Sequence, residues 1–401
     1  MRIMFLTQLF EPEPTMKGID FVRGLQSAGH EVEVVTGFPN YPGGKIYPEY
    51  RGRRFQRETL DGISITRLPL SPSHNNSSIG RAWHFLSFFL SAFAYGLKNG
   101  RRFDLVYVGH PGVTTGLAAL LFGSLWRCPY ILDIQDLWPD SLVASGLNRA
   151  TAMAKILGPI CNLVHYRAAH IVAQSEGIAK TLIARGARLE RVSVIYNWAP
   201  DAPKTPPQSS GHHDGKFAII YAGNMGPLQA LDTIVRAAKL AWERMPTIEL
   251  TLIGDGVELA MLKALTLEIG ATNISFKPRI AASKIADVLA EADALLIHLS
   301  DQALLEITIP SKTQSYLAIG KPILAGVKGE VATILENSAA AIVTHPEDVN
   351  ALADAMIRLA SLSREVLAAM GQSGRAYYDQ KLGFDSAIAK TLAVCDKVCR
   401  V

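Results

Sequence analysis

The chain has only four cysteines, Cys128, Cys161, Cys395 and Cys399, too few and too scattered for a disulfide framework. Cys395 and Cys399 are one helical turn apart, but no second pair completes a tetrahedral zinc site. Reduced thiols in a cytosolic protein are the expectation. A strong excess of one charge is missing too. The net charge is +4, and no Lys/Arg block interleaved with aromatics is present, so nucleic acid is not an expected partner. There is no Walker sequence and no DxD, and no His/Asp/Glu cluster suggests a metal. Gly223-Asn-Met-Gly226 lacks the dinucleotide spacing, and Gly254-Asp-Gly256 matches it weakly. Met1–Leu6 has neither the apolar core nor the cleavage site of a secretory leader. The apolar stretch that most suggests a membrane span, His84–Leu97, is shorter than the roughly 20 residues that cross a bilayer.

The sequence does contain a large apolar fraction, 49%, in a chain too long for one ordinary core. Short apolar runs alternate with amphipathic segments twice over. Arg2–Thr7, Glu31–Thr36, Phe103–Gly109, Pro129–Ile134, His170–Ala173 and Val192–Tyr196 read as strands of a first half. Ala218–Ala222, Ile248–Ile253, Ile274–Phe276, Ala294–Leu299, Pro322–Ala325 and Ala341–Val343 read as strands of a second. Residues 347–372 read as helical, and Phe384–Val398 as a last helix. Between the halves, 199–216 is rich in Pro, Ser, His and Gly and reads as a linker. The expected fold class is α/β: two doubly wound, Rossmann-like domains facing across a central crevice. The expected boundaries are 1–198, a linker at 199–216, 217–380, and a C-terminal helix in 381–401 packing back on the first domain.

In such sheets, ligands bind at the C-terminal strand ends. The loops there carry Gly37-Phe-Pro-Asn-Tyr-Pro42, His110, Gln135 and Asp136 in the first half, and Gly223–Gly226 and Lys277–Ile280 in the second. The stretch Glu306–Gly320 follows one strand and precedes another. Pro310 disfavours helix at Ile309, Ser311 is placed to cap a helix from Lys312 to Ala318, and Gly320 can end it. A helix N-terminus with a lysine suits a phosphate; the plainer reading is an ordinary capped helix. Arg51, Arg53, Arg54 and Arg57 read either as a solvated surface or as contacts to an anionic lipid or pyrophosphate. Phe85, Phe88, Phe89, Ala92 and Phe93 share one face of a helix that Leu86, Leu90 and Leu97 broaden, flanked by Arg81, Lys98, Arg101 and Arg102. That helix is either a core helix or one that touches a membrane.

Five motifs carry a family resemblance: Gly37–Pro42 with Gly44–Tyr47, Asp136-Leu-Trp-Pro-Asp140, Tyr196-Asn-Trp198, Tyr221-Ala-Gly-Asn-Met-Gly226 and Thr308-Ile-Pro-Ser-Lys-Thr313. Over nearly its whole length the chain resembles the retaining GT-B glycosyltransferases of family 4. More narrowly, it is similar to bacterial O-antigen and capsule aminosugar transferases. The resemblance implies a UDP-sugar donor on the second domain, bound as a substrate with no separate cofactor and no metal. It places the base near Arg279 and Ile280. The diphosphate falls at Gly223, Asn224, Met225, Gly226 and Gln229, and at Pro310, Ser311, Lys312, Thr313 and Ser315. It implies catalytic roles for His110, Asp136, Lys312 and Glu306. The acceptor would be a polyprenyl-diphosphate-linked glycan, and the enzyme would sit peripherally on the cytoplasmic face of the inner membrane. N-acetylated hexosamine or 6-deoxyhexosamine (FucNAc-type) is the implied sugar. Two features depart from the family pattern. Asn224 and Gln229 stand where many members have Arg and Lys. Ser315 replaces the second of a glutamate pair, and Glu306 is one residue off the first. A UDP-sugar 2-epimerase and a non-catalytic nucleotide-sugar-binding partner of an assembly complex are the rival readings.

Overall fold

The computed structural model describes residues 1–72, 78–109, 113–140, 150–200, 202–203 and 215–400. It divides into two compact units, Met1–Tyr196 with Ala387–Val401, and Asn197–Ser386. Most of the expected linker lies outside the described residues.

The first unit is built on an eight-stranded sheet, with β1 Arg2–Leu6, β2 Glu31–Gly37, β3 Gln56–Leu60, β4 Ile63–Leu68, β5 Leu105–Val108, β6 Tyr130–Ile134, β7 His170–Ala173 and β8 Val192–Val194. Their order is β3-β4-β2-β1-β5-β6-β7-β8. All pairings are parallel except the β3–β4 hairpin, which turns at Asp61-Gly62. Helices cover both faces of a parallel sheet, so its strands must be apolar on both sides. β5 and β6 are accordingly buried at every position. Asp133, inside β6, is the polar exception. The last helix, Phe384–Cys399, belongs to this unit from Ala387 onward. Its Ile388 packs where a Cβ on Gly24 would sit, and its Lys397 donates to the Glu190 carbonyl.

The second unit has six strands, β9 Phe217–Asn224, β10 Ile248–Asp255, β11 Ile274–Lys277, β12 Ala294–His298, β13 Ile323–Gly326 and β14 Ala341–Thr344. They run in the order β11-β10-β9-β12-β13-β14, every pair parallel. Its core joins β9, β10 and β12 to the helices Leu231–Arg244 and Val349–Ala360. Each aliphatic side chain buried there contributes about 1.5–3 kcal/mol. The helix read over 347–372 is two helices, Val349–Ala360 and Arg364–Tyr377. Ser363 breaks it by capping the second: its hydroxyl accepts from the Val366 N–H.

The helix Ser78–Asn99 buries Phe88, Ala92 and Tyr95. Phe85 meets Trp138 edge-on at 5.8 Å. Trp83, Leu86, Leu90 and Leu97 are exposed along the opposite stripe. Among the described residues no helix is long and apolar enough to cross a membrane.

Candidate functional site

In the second unit, β9 and β10 end side by side, Gly254 level with Gly223 and Asp255 with Asn224. The two backbones touch. A Cβ on Gly254 would lie 1.9 Å from the Gly223 carbonyl oxygen, and Gly254 also has φ +143°. With no side chains to fill it, the sheet edge opens into a cavity of about 800 Å3. Gly223, Asn224, Asp255, Arg279 and Ile280 are among its lining. That volume falls within the range of small-molecule and cofactor sites.

Lys312, on the helix Ser311–Ile319, packs against Gly223, which lines the cavity. Its Nζ lies 4.8 Å from the centre of the Tyr221 ring, and a Cβ on Gly223 would come within 2.3 Å of it. The missing side chain of Gly223 therefore makes room for the ammonium. Among the described residues no carboxylate pairs with Lys312, and burial lowers its pKa to about 8. The expected Ser311 cap is a correction. Pro310 occupies the N-cap position with extended backbone, Ser311 is the first helical residue, and no side chain caps the helix. Its first N–H groups thus have no side-chain acceptor. Gly320 ends the helix in the left-handed conformation. Tyr316 fixes the helix to the end of β9, its hydroxyl accepting from the Ala222 N–H at 2.9 Å.

The remaining expected donor-site residues divide by environment. Met225 is fully buried, as is Thr313, and their backbone N–H groups donate to the Asp255 and Pro310 carbonyls, so both positions shape the site from within. Gln229 turns inward, and its Oε1 accepts from the Gly226 N–H and the Asn224 amide, both at 3.1 Å. It shapes the glycine turn. His298 holds this loop from behind, with Nδ1 2.8 Å from the Gln229 carbonyl and Nε2 accepting from the Glu347 N–H. Those partners assign a neutral imidazole, and burial lowers its pKa accordingly. Ser315 is half-buried and supplies no carboxylate. Glu306 pairs with Lys328 at 3.1 Å, and Lys328 also pairs with Asp301. Glu306 is not among the residues that line the large cavity.

In the first unit, His110 lies outside the described residues. Asp136 is exposed in the loop after β6. The rest of its motif is anchored by buried Leu137 and by Asp140, which takes two 2.7 Å bonds from Arg185. The Gly37–Tyr47 loop is held by Glu13, whose Oε1 accepts from the N–H groups of Asn40 and Tyr41 at 2.7 and 2.8 Å. Sequence reasoning missed Lys17 and Asp133. Asp133 is 1% exposed and Lys17 7%, and they form an ion pair. The Tyr107 hydroxyl donates to Asp133 Oδ2 at 2.5 Å, and Gln135 donates to its other oxygen. The available signal was a carboxylate inside an apolar strand, because a buried charge demands a partner. Lys17, Asp133 and Gln135 border a second cavity of about 170 Å3.

Residues 20–198 match the family described as Glycosyl transferase 4-like domain, and residues 216–361 match Glycosyl transferases group 1. The chain is 26% identical over 373 residues to a putative colanic acid biosynthesis glycosyl transferase, WcaI, of Escherichia coli (strain K12). That match covers 88% of this chain and 90% of WcaI. Among solved structures, Anabaena Alr3699/HepE in complex with UDP and glucose matches with TM-score 0.64 and 16% identity, over 98% of this chain and 99% of that one. The α,α-trehalose 6-phosphate synthase of Burkholderia multivorans matches with TM-score 0.73 and 11% identity, over 100% and 97%.

Proposed function

The chain is a glycosyltransferase of the GT-B fold, and from that premise we propose that it moves a sugar from a UDP-sugar to a polyprenyl-diphosphate-linked glycan, with retention, in bacterial surface-polysaccharide synthesis. The observation that carries this reading is the glycine-lined cavity of the second unit with Lys312 packed against one of its glycines, Gly223. A nucleoside diphosphate fits that combination: a base toward Arg279 and Ile280, and phosphates toward Gly223, Lys312 and the uncapped helix. Lys312 then stabilises the charge that develops on the leaving diphosphate, as preorganised electrostatics. The nucleophile is the acceptor hydroxyl, attacking on the face that UDP leaves, with Asp136 orienting it and His110 contacting the transferred sugar. No metal is required in this scheme. The donor sugar is an N-acetylated hexosamine or 6-deoxyhexosamine.

The exposed stripe of Trp83, Leu86, Leu90 and Leu97 supports acceptor delivery from the cytoplasmic face of a membrane. Beside it, a surface cavity of about 700 Å3 is edged by Arg54, Arg57 and Lys98.

The test is a screen of UDP-sugars with a synthetic lipid-diphosphate-sugar acceptor, following UDP release and the anomeric configuration of the product. Transfer from one UDP-N-acetylhexosamine, giving an axial linkage from an axial donor, is the expected result. No turnover with any UDP-sugar would overturn the donor assignment. Epimer formation from the UDP-sugar alone would favour the epimerase. Binding without turnover would favour the non-catalytic partner.

A further inference from the structure

The smaller cavity, in the first unit, has a chemistry unlike that of the large one. It lies at the ends of β1, β5 and β6, with Lys17 and Asp133 among its lining and Leu9 and Met16 on its walls. At about 170 Å3 it is well below the roughly 300–1,000 Å3 of drug-sized ligand sites. It equals the volume share of only about five or six liquid waters, at about 30 Å3 each. A nucleotide does not fit; one six-membered sugar ring does.

Its electrostatics exclude the ligand class expected of the other cavity. The charge of Lys17 is offset by Asp133, so there is no net attraction for a phosphate. What remains is a donor and an acceptor side by side. Among the described residues, Lys17 directs its N–H groups to Asp133 and Tyr107, which leaves one of its three donors over. Asp133 accepts from Lys17, Tyr107 and Gln135, which leaves one of about four lone-pair directions. A sugar hydroxyl both donates and accepts, so a single hydroxyl satisfies the two together. The apolar walls suit the C–H faces of a ring.

We propose that this cavity is a subsite for one pyranose ring of the acceptor glycan, with the Lys17–Asp133 pair reading one of its hydroxyls. The assignment rests on the glycosyltransferase reading and names where that reading's acceptor is recognised. Asp133 and Lys17 act here as binding residues. Tyr107 is a positioning residue, holding the carboxylate from inside the sheet.

The probes are methyl glycosides of glucose, galactose, fucose and N-acetylglucosamine. Binding is read by saturation-transfer NMR on the full chain with UDP at saturation. We expect one or more to bind with a Kd on the order of 1 mM, selectively by hydroxyl pattern. Thr15→Trp narrows the cavity while keeping both members of the ion pair and should weaken that binding at least about tenfold. UDP affinity, measured on the same samples, should move less than about twofold. Asp133→Asn should also lose the glycoside; because it can also unfold the unit, Thr15→Trp is the deciding variant. The proposal is overturned if no glycoside binds the UDP-loaded wild type, if Thr15→Trp binds it unchanged, or if UDP displaces it. Failure of UDP itself to bind would instead sink the donor reading, and the glycoside result would still be read separately.

Discussion

The two sheet edges of this protein face the same topological problem and solve it in opposite ways. In the second unit glycines stand one residue before the ends of β9 and β10, the edge is open, and among the described residues no carboxylate pairs with the lysine beside it. In the first unit the corresponding edge is filled by side chains, and its lysine is neutralised by Asp133 within a bonded network. Removing side chains yields a nucleotide-sized cavity with a charge to offer. Filling the edge yields a ring-sized cavity with paired donors and acceptors. The fold is shared, and the chemistry follows from what stands on the last residues of each strand.

A large expected effect comes from adding one methyl group to the open edge. Gly254→Ala places a Cβ 1.9 Å from the Gly223 carbonyl at φ +143°. The backbone strain alone costs about 1–3 kcal/mol, before the loops part. Titration calorimetry should show UDP binding lost by more than about a hundredfold (2.8 kcal/mol at 1.4 per decade). Gly109→Ala at the filled edge meets its nearest atoms only at 3.1 Å and should be far milder. Equal behaviour of the two variants would erase the contrast.

The same substitution at the two lysines separates them next. Lys312→Met should lower kcat by about 10²–10³ with the fold intact, the loss typical of one transition-state donor. Lys17→Met leaves the Asp133 carboxylate buried without its cation, so urea melts should show a loss of about 3–5 kcal/mol. The reverse pattern would mean that charge is structural at the open edge and functional at the filled one.

A smaller effect is a pH dependence. Burial lowers the Lys312 pKa to about 8, whereas a bound diphosphate favours its charged form. Binding therefore takes up a proton above that pH. Above about pH 7, where the UDP phosphates are fully ionised, UDP affinity should fall as pH rises through about 8, by at most about tenfold per unit. Lys312→Met should be flat over that same range, and a wild-type profile without a break near 8 counts against the lysine–phosphate contact.

The smallest effect belongs to Glu306→Gln. Its partner is Lys328 on a partly exposed surface, where ion pairs contribute little. Turnover should stay within about twofold. A collapse of activity would restore Glu306 to the machinery despite its place outside the cavity lining.

Much of the architecture was legible because strands buried on both faces must be continuous apolar runs. β5, β6 and β12 show this. The helix from Ser311 was legible for a local reason, proline before it and glycine after it. Its cap differs by one residue because Pro310, extended, takes the N-cap position, so Ser311 begins the helix and its hydroxyl does not cap it. The helix face of 84–97 was only half legible. Periodicity grouped its aromatics correctly, but it could not say that Phe88 and Ala92 turn inward while Leu86 and Leu90 stay in solvent. Glu306 enters through the family resemblance, one residue off the expected place, and a likeness of motifs carries no information about a lysine on another loop.

By itself, then, the sequence determined two parallel α/β units, the glycines at the strand ends and a lysine at a helix start, since each follows from residue type and near neighbours. Tertiary structure alone decided which glycine makes room for Lys312. It also decided that Gln229 folds inward, and that Lys17 and Asp133 meet although 116 positions apart. The physical reason is one of range. Backbone preference and apolar periodicity act over a few residues, whereas the neutralisation or exposure of a buried charge depends on partners that only folding brings near.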